Sequence, residues 1–193
     1  SIKKQGEALD LGANVTMKNA LIDQGELDLR GSAELQTQVR STQHSASVNA
    51  DLDLTQAQLK LPGSIDKDRG VPMRLRAQIE RTARVVAVKL AELTLPGGTL
   101  RVNGKADLGN NNLDMKVPVV DLDLAKLANV LPALNRGSLG GLMDSKLRIA
   151  LAIDGNPNKL ASVRARLDEF HMTVAGGTIK GSGEVVGLNQ PRK

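Results

Sequence analysis

Three stretches of this chain, Gly25–Leu35, Gly98–Leu108 and Gly177–Val185, write nearly the same line. In each, apolar or small residues alternate with polar ones, and a Gly recurs six residues after the first, at Gly31, Gly104 and Gly183. The copies start 73 and 79 residues apart. A chain that repeats an amphipathic strand at near-constant spacing is constrained to stack units, each completing the sheet of its neighbour. Such a fold makes a long surface rather than a compact pocket, so function is expected on one face of a sheet.

Alternation continues between the copies. Leu9 to Met17, Ala46 to Leu54, Val71 to Ile79, Val86 to Leu90 and Leu147 to Ile153 each keep apolar residues on one parity. Period two over several positions indicates a strand with one buried and one wet face. The phase slips by one between Leu54 and Ala57 and between Leu90 and Leu93, which predicts a tight turn or a bulge at each. Turns are expected at Pro62-Gly63, Pro96-Gly97-Gly98, Gly109 to Asn112 and Asp154 to Pro157. The longest loop is expected over Pro62–Gly70.

Asn103-Gly104 is a hairpin signal by composition. A turn there would set Val102 against Lys105 and Leu100 against Asp107, mixing charge into the apolar side. A strand running straight through keeps Leu100, Val102, Gly104, Ala106 and Leu108 together, and that reading is preferred. Gly at the inward position then marks a kink or the close approach of another backbone. One segment leaves period two: from Asp121 to Leu134, apolar positions Leu124, Leu127, Ala128, Leu131 and Leu134 follow helical spacing. Asp121 or Asp123 can cap its start, and Pro132 with Gly137 closes it. The fold expected is therefore all-β: repeated antiparallel strands in a twisted, curved sheet forming an open hydrophobic groove, with one short helix near 121–134, as a single repeat-built domain over 1–193.

Composition narrows what the apolar side can do. Phe170 is the only aromatic residue and there is no Cys, so the lining is aliphatic, and thiolate metal sites and Cys nucleophiles are excluded. The net charge of +5 is spread among interleaved acids and bases, which suits a solvated outer face better than a nucleic-acid track. His44 and His171 are isolated. The pairs Asp51/Asp53 and Asp121/Asp123 are the polar half of Asp-Leu alternation rather than an acid/base pair, Asp66 and Asp68 lack the remaining ligands of a calcium loop, and no Gly-x-Ser-x-Gly elbow is present. Neither an enzyme nor a cofactor is expected. No apolar run approaches the roughly 18 residues of a membrane span, and the opening on Ser1 reads as a fragment of a longer protein.

What remains is the aliphatic face, with candidate lining residues Leu27, Leu29, Leu35, Leu52, Leu54, Leu75, Ile79, Val88, Leu90, Leu100, Val102, Leu147, Ile149, Leu151 and Ile153. It is either the sealed core of a closed domain or an open trough for lipid chains. The stretch Val119–Leu134 followed by Gly137-Ser138-Leu139-Gly140-Gly141 resembles the C-terminal region of AsmA-like proteins, in which a Val-Asp-Leu strand end leads into a short helix and a Gly-rich turn. Ala175–Gly183 is similar to the Gly-Gly-x-hydrophobic-x-Gly strand those proteins repeat. The resemblance implies a Gram-negative envelope protein, held in the inner membrane by an N-terminal helix. Its periplasmic β-groove would carry phospholipid acyl chains towards the outer membrane, as in TamB-like proteins. The same Leu-Pro and Gly-Ser stretch is similar to the type II secretion component GspN, which implies an alternative: an assembly module, partnered by envelope proteins, with its apolar face closed.

Overall fold

A computed structural model describes residues 2–5, 8–24, 26–134, 145–174 and 177–187. Among the described residues thirteen strands follow one another: β1 (Ile2–Gln5), β2 (Ala8–Gln24), β3 (Leu27–Ser41), β4 (Ser45–Asp53), β5 (Ala57–Leu61), β6 (Ile65–Lys67), β7 (Arg74–Thr82), β8 (Val85–Leu95), β9 (Gly98–Asp107), β10 (Asn112–Asp123), β11 (Lys146–Gly155), β12 (Arg164–Val174) and β13 (Gly177–Val186). A helix, α1 (Leu124–Ala128), and a 3-10 turn at Pro132–Leu134 stand between β10 and β11, and a second 3-10 turn lies at Leu160–Ser162. All pairings are antiparallel and the sheet is open. Its order is β1-β2-β3-β4-β7-β8-β9-β10-β11-β12-β13, with β5 on β3 and β6 on β5. Since β5 continues β4 along β3, and β6 leads back into β7, the sheet is an unbroken up-and-down meander.

Asn103 and Gly104 lie inside β9, not in a turn. The first slip is a break of three residues, Leu54 to Gln56, between β4 and β5. The second falls slightly earlier than the sequence suggested. Val88 pairs with Gly104 and Ala91 with Val102, so Lys89-Leu90 are the bulged residues. The same device recurs every fourth strand, counting β4–β5 and β6–β7 as one strand each. In β2, Lys18-Asn19 bulge opposite Ser32; in β8, Lys89-Leu90 oppose Asn103; in β12, Asp168-Glu169 oppose Ser182. Bulges bend a strand and raise its local twist, so curvature is written into the repeat.

The inward glycines behave as expected in two copies of three. Gly31 has φ +118°, and a Cβ there would lie 2.5 Å from the Gln56 carbonyl oxygen. At Gly104 a Cβ would overlap the Asp114 carbonyl oxygen. In both, a neighbouring backbone comes too close for any side chain: the break before β5 at Gly31 and β10 at Gly104. At Gly183 nothing lies within 4 Å, since among the described residues no strand pairs beyond β13.

The helix is shorter than its sequence pattern. Alternation persists through Val120-Asp121-Leu122-Asp123, which pair with β11, and α1 takes only five residues. Asp123 caps it, accepting the Lys126 backbone N–H at 3.0 Å. Five residues are too few for a stable isolated helix; Leu124 and Leu127 bury against Leu95, Leu122, Leu147 and Met172 and fix it there. Beyond it, the Val130 carbonyl accepts the Asp66 N–H of β6 at 2.9 Å. The segment thus bridges from β10 to β6 across the β8–β9 turn and closes that end of the sheet. Gly137 lies outside the described residues. The expected loop over Pro62–Gly70 is instead a hairpin, turning at Pro62–Ser64 before β6.

Candidate functional site: the aliphatic face

Cross-strand partners share a face, so the register shows which side chains are brought together. One row runs Leu11, Val39, Val48, Ile79, Val88, Gly104, Met115, Ile153, Ala165, Val185 from β2 to β13. Ten strands contribute and none brings a polar residue. At the usual strand spacing this row is about 43 Å long. A second row, Val15, Leu35, Leu52, Leu75, Leu93, Leu100, flanks it over six strands.

Most of the candidate residues fall on this side. Leu35, Leu52, Leu75 and Leu100 form the second row, while Ile79, Val88 and Ile153 belong to the first. Val102 pairs with Ala91, Ile149 with Val120 and Phe170, and Leu151 with Val117 and Leu167. Leu27, Leu29 and Leu54 share the side but pack with Ala57, Leu59, Ile65 and Met73 in a small closed cluster, in which Leu29 is buried. Leu147 lies under the helix. Leu90 is the exception: as a bulged residue it stands opposite Gln78, on the polar register. The candidate lining lacked Leu11, Val15, Val39, Val48, Leu93, Met115, Leu167, Phe170 and Val185, which the register puts on the same side. Leu93 follows the β8 bulge, and Leu167 and Phe170 flank the one in β12, where parity counted from one end of the strand fails.

The aliphatic side is not sealed. Leu75 is 45% exposed, Ile79 37%, Leu100 37% and Val15 46%. The chain exposes 12,825 Å², against about 8,900 Å² for a compact monomer of its mass. Two clusters of buried apolar residues lie at the helix end, Leu29, Ala57 and Leu59 in one and Leu124 and Leu127 in the other.

The reverse side is a lattice of charge. Asp51 accepts from Arg74 at 2.6 and 2.5 Å, Arg76 lies between Asp51 and Glu92 at 3.5 and 3.3 Å, and Arg101 reaches Glu92 at 2.7 Å. Asp28, Arg101 and Arg148 all stand on this side, in register with Lys60, Glu92 and Asp121. The Arg74 hydrogen bond holds the Asp51 carboxyl below its ordinary range. A shallow polar depression of about 500 Å³ crosses β2, β3, β4 and β7 on this side, among Asp10, Asn14, Gln38, Asn49 and Gln78.

One charged group is enclosed beneath the aliphatic side. Lys67 pairs with Leu59 across β5–β6 and is fully buried. Its Nζ donates to the carbonyls of Ala57 at 2.5 Å, Asp68 at 3.1 Å and Thr55 at 3.3 Å. Burial lowers its pKa, and the carbonyl cage holds the kinked hairpin where β4 gives way to β5. Among the described residues no three His, Cys, Asp or Glu are placed to hold a metal ion, and no helix is long and apolar enough to cross a membrane.

The class defined by this geometry is a single-layer antiparallel β-meander with one continuous aliphatic face and one ion-paired face. No family model, curated protein or solved structure matches the chain.

Proposed function

We propose that the aliphatic face binds phospholipid acyl chains and lets them slide along the sheet, headgroups in water, as a periplasmic segment of an inner-membrane-anchored envelope protein serving outer-membrane biogenesis. The observation that carries this reading is the ten-strand apolar row whose side chains remain partly exposed. An aliphatic row offers no strong polar contact along its length, so a chain on it meets no deep trap. Each CH₂ removed from water contributes about 0.8 kcal/mol. One leaflet of hydrocarbon is about 15 Å thick, so the row is long enough for more than one acyl chain end to end. The resemblance to AsmA-like proteins supports the envelope setting. A second reading, an assembly module of the cell envelope or type II secretion apparatus, draws on the two closed clusters at the helix end.

Native mass spectrometry of the purified chain tests the lipid reading, together with photo-crosslinking residues placed in turn at Leu75, Ile79, Arg76 and Gln78. The expected result is co-purified phospholipid, with lipid adducts at Leu75 and Ile79 only. Equal labelling of the two faces, or no lipid at all, would favour the assembly module.

A further inference from the structure

We infer that Arg81 binds the phosphate of a lipid whose acyl chain lies on the neighbouring aliphatic row, which makes β7 a docking point for phospholipid. The inference rests on the acyl-chain reading above and adds what holds the headgroup. Register places Arg81 on the aliphatic side, opposite Ala46 of β4 and Val86 of β8 and two residues beyond Ile79. That step is about 7 Å along the strand. Arg81 is the last position of β7 on this side before the chain turns at Ala83-Arg84. It therefore stands at the margin away from the helix, one row outside the ten-strand apolar row, while the row of Leu75 flanks the other side.

Its company sets this arginine apart. Every other arginine in a described strand stands on the reverse side and is ion-paired there. The Arg81 side chain is exposed, and among the described residues it has no ion-pair or hydrogen-bond partner. Ala46 and Val86 offer it no acid, and Glu80 faces the other way, onto Lys89 at 3.2 Å. An arginine at the rim of an apolar surface lays its methylene stem along that surface and keeps its guanidinium in water. The planar fork matches two oxygens of one phosphate. An aliphatic row with an uncompensated fork at its margin is thus complementary, in polarity and in charge, to an acyl chain that ends in a phosphate. The apolar row itself offers no such contact, so a sliding lipid is held by its headgroup at β7 and nowhere else along that row. Salt weakens an exposed contact of this kind, which leaves the hold reversible.

The test photolabels the purified chain, in uncharged detergent, with a diazirine-bearing phosphatidic acid and separately with the diacylglycerol of the same chains, which lacks the phosphate. Mass spectrometry of the adducts gives the half-saturating concentration of each. Arg81→Gln should raise that of phosphatidic acid about tenfold, as expected for loss of a charge-assisted hydrogen bond, and leave that of diacylglycerol unchanged. Arg81→Lys, which keeps the charge without the fork, should fall between. Arg40→Gln removes an equal charge from the reverse side and should change neither. Each variant is checked for unchanged circular dichroism. Wild-type affinity for phosphatidic acid in Arg81→Gln, or an equal loss of both lipids, would overturn the headgroup contact and leave the acyl-chain reading standing. Labelling of the parent chain by neither lipid would overturn both. Millimolar inorganic phosphate should not displace the phosphatidic acid; displacement down to the Arg81→Gln level would mark a site for free phosphate and overturn the lipid anchor.

Discussion

Replacing Leu100 with Asp separates an open face from a sealed core. Leu100 is 37% exposed and sits opposite Leu93. Complete burial of a Leu side chain contributes about 1.5–3 kcal/mol, so its partial burial contributes about 1–2 kcal/mol. A carboxylate at that height on a single-layer sheet stays in reach of water and avoids most of the desolvation cost. Leu100→Asp should then cost about 1–2 kcal/mol, within the roughly 5–15 kcal/mol of a typical domain. Leu127, 5% exposed beneath the helix segment, is the control. Truncating such a residue costs about 2–5 kcal/mol, and an unpaired buried carboxylate adds several more, so Leu127→Asp should unfold the domain. Urea titration followed by circular dichroism measures both, and acyl-chain photo-crosslinking on the folded Leu100→Asp variant reads function. The expected pattern is a shifted but cooperative transition with crosslinking lost. If Leu100→Asp unfolds the chain as Leu127→Asp does, the face is a closed core and the acyl-chain path is refuted.

Gly104→Ala should cost about 1–3 kcal/mol, because its Cβ would enter the Asp114 backbone. Gly183→Ala, with open space around it, should be neutral or stabilising by about 0.5–1 kcal/mol; thermal melts compare the two. The Asp51 carboxyl is held below its ordinary pKa of 3.8, first by the Arg74 hydrogen bond. Its contribution is therefore complete above pH 3.8 and is lost as pH falls through the lowered folded value. Asp51→Asn should flatten that acid limb of a stability–pH curve and leave its shape near neutrality unchanged. Lys67 shifts the opposite way in its cage. A lowered ammonium pKa means stability rises as pH climbs towards 10.5, and Lys67→Met should remove that rise in alkaline urea titrations.

What could be read from the sequence was what two-fold periodicity encodes directly. Leu27 and Leu29, Leu100 and Val102, and Leu147 and Ile149 share the apolar side with Asp28, Arg101 and Arg148 opposite, because side-chain direction in a strand is fixed by parity alone. Parity carries no information past a bulge, and Leu90 was misplaced for that reason. Whether Lys89 or Leu93 begins the new phase depends on where β7 and β9 offer partners. The overlong helix has a related cause: Leu122 suits a strand beside Leu147 as well as a helix start, and pairing with β11 decided it. Lys67 gave no signal at all, since only the kinked hairpin brings three carbonyls to one point. The exposure of Leu75 and Leu100 was equally invisible, because alternation names the apolar side without saying what covers it.

The meander has a mechanical consequence. With β4–β5 and β6–β7 counted as one strand each, every described strand is hydrogen-bonded only to its neighbours in chain order, and each pairing can open without disturbing strands further along. Pulled from β1 and β13, the described strands offer no clamp of paired first and last strands to shear. The sheet should unzip one hairpin at a time, at low force and in steps. The exception is the bridge from Val130 to Asp66, which ties two segments 64 residues apart in sequence. In a single-molecule trace that bridge should appear as the one distinct barrier, and the stretch between its ends as a unit that opens together.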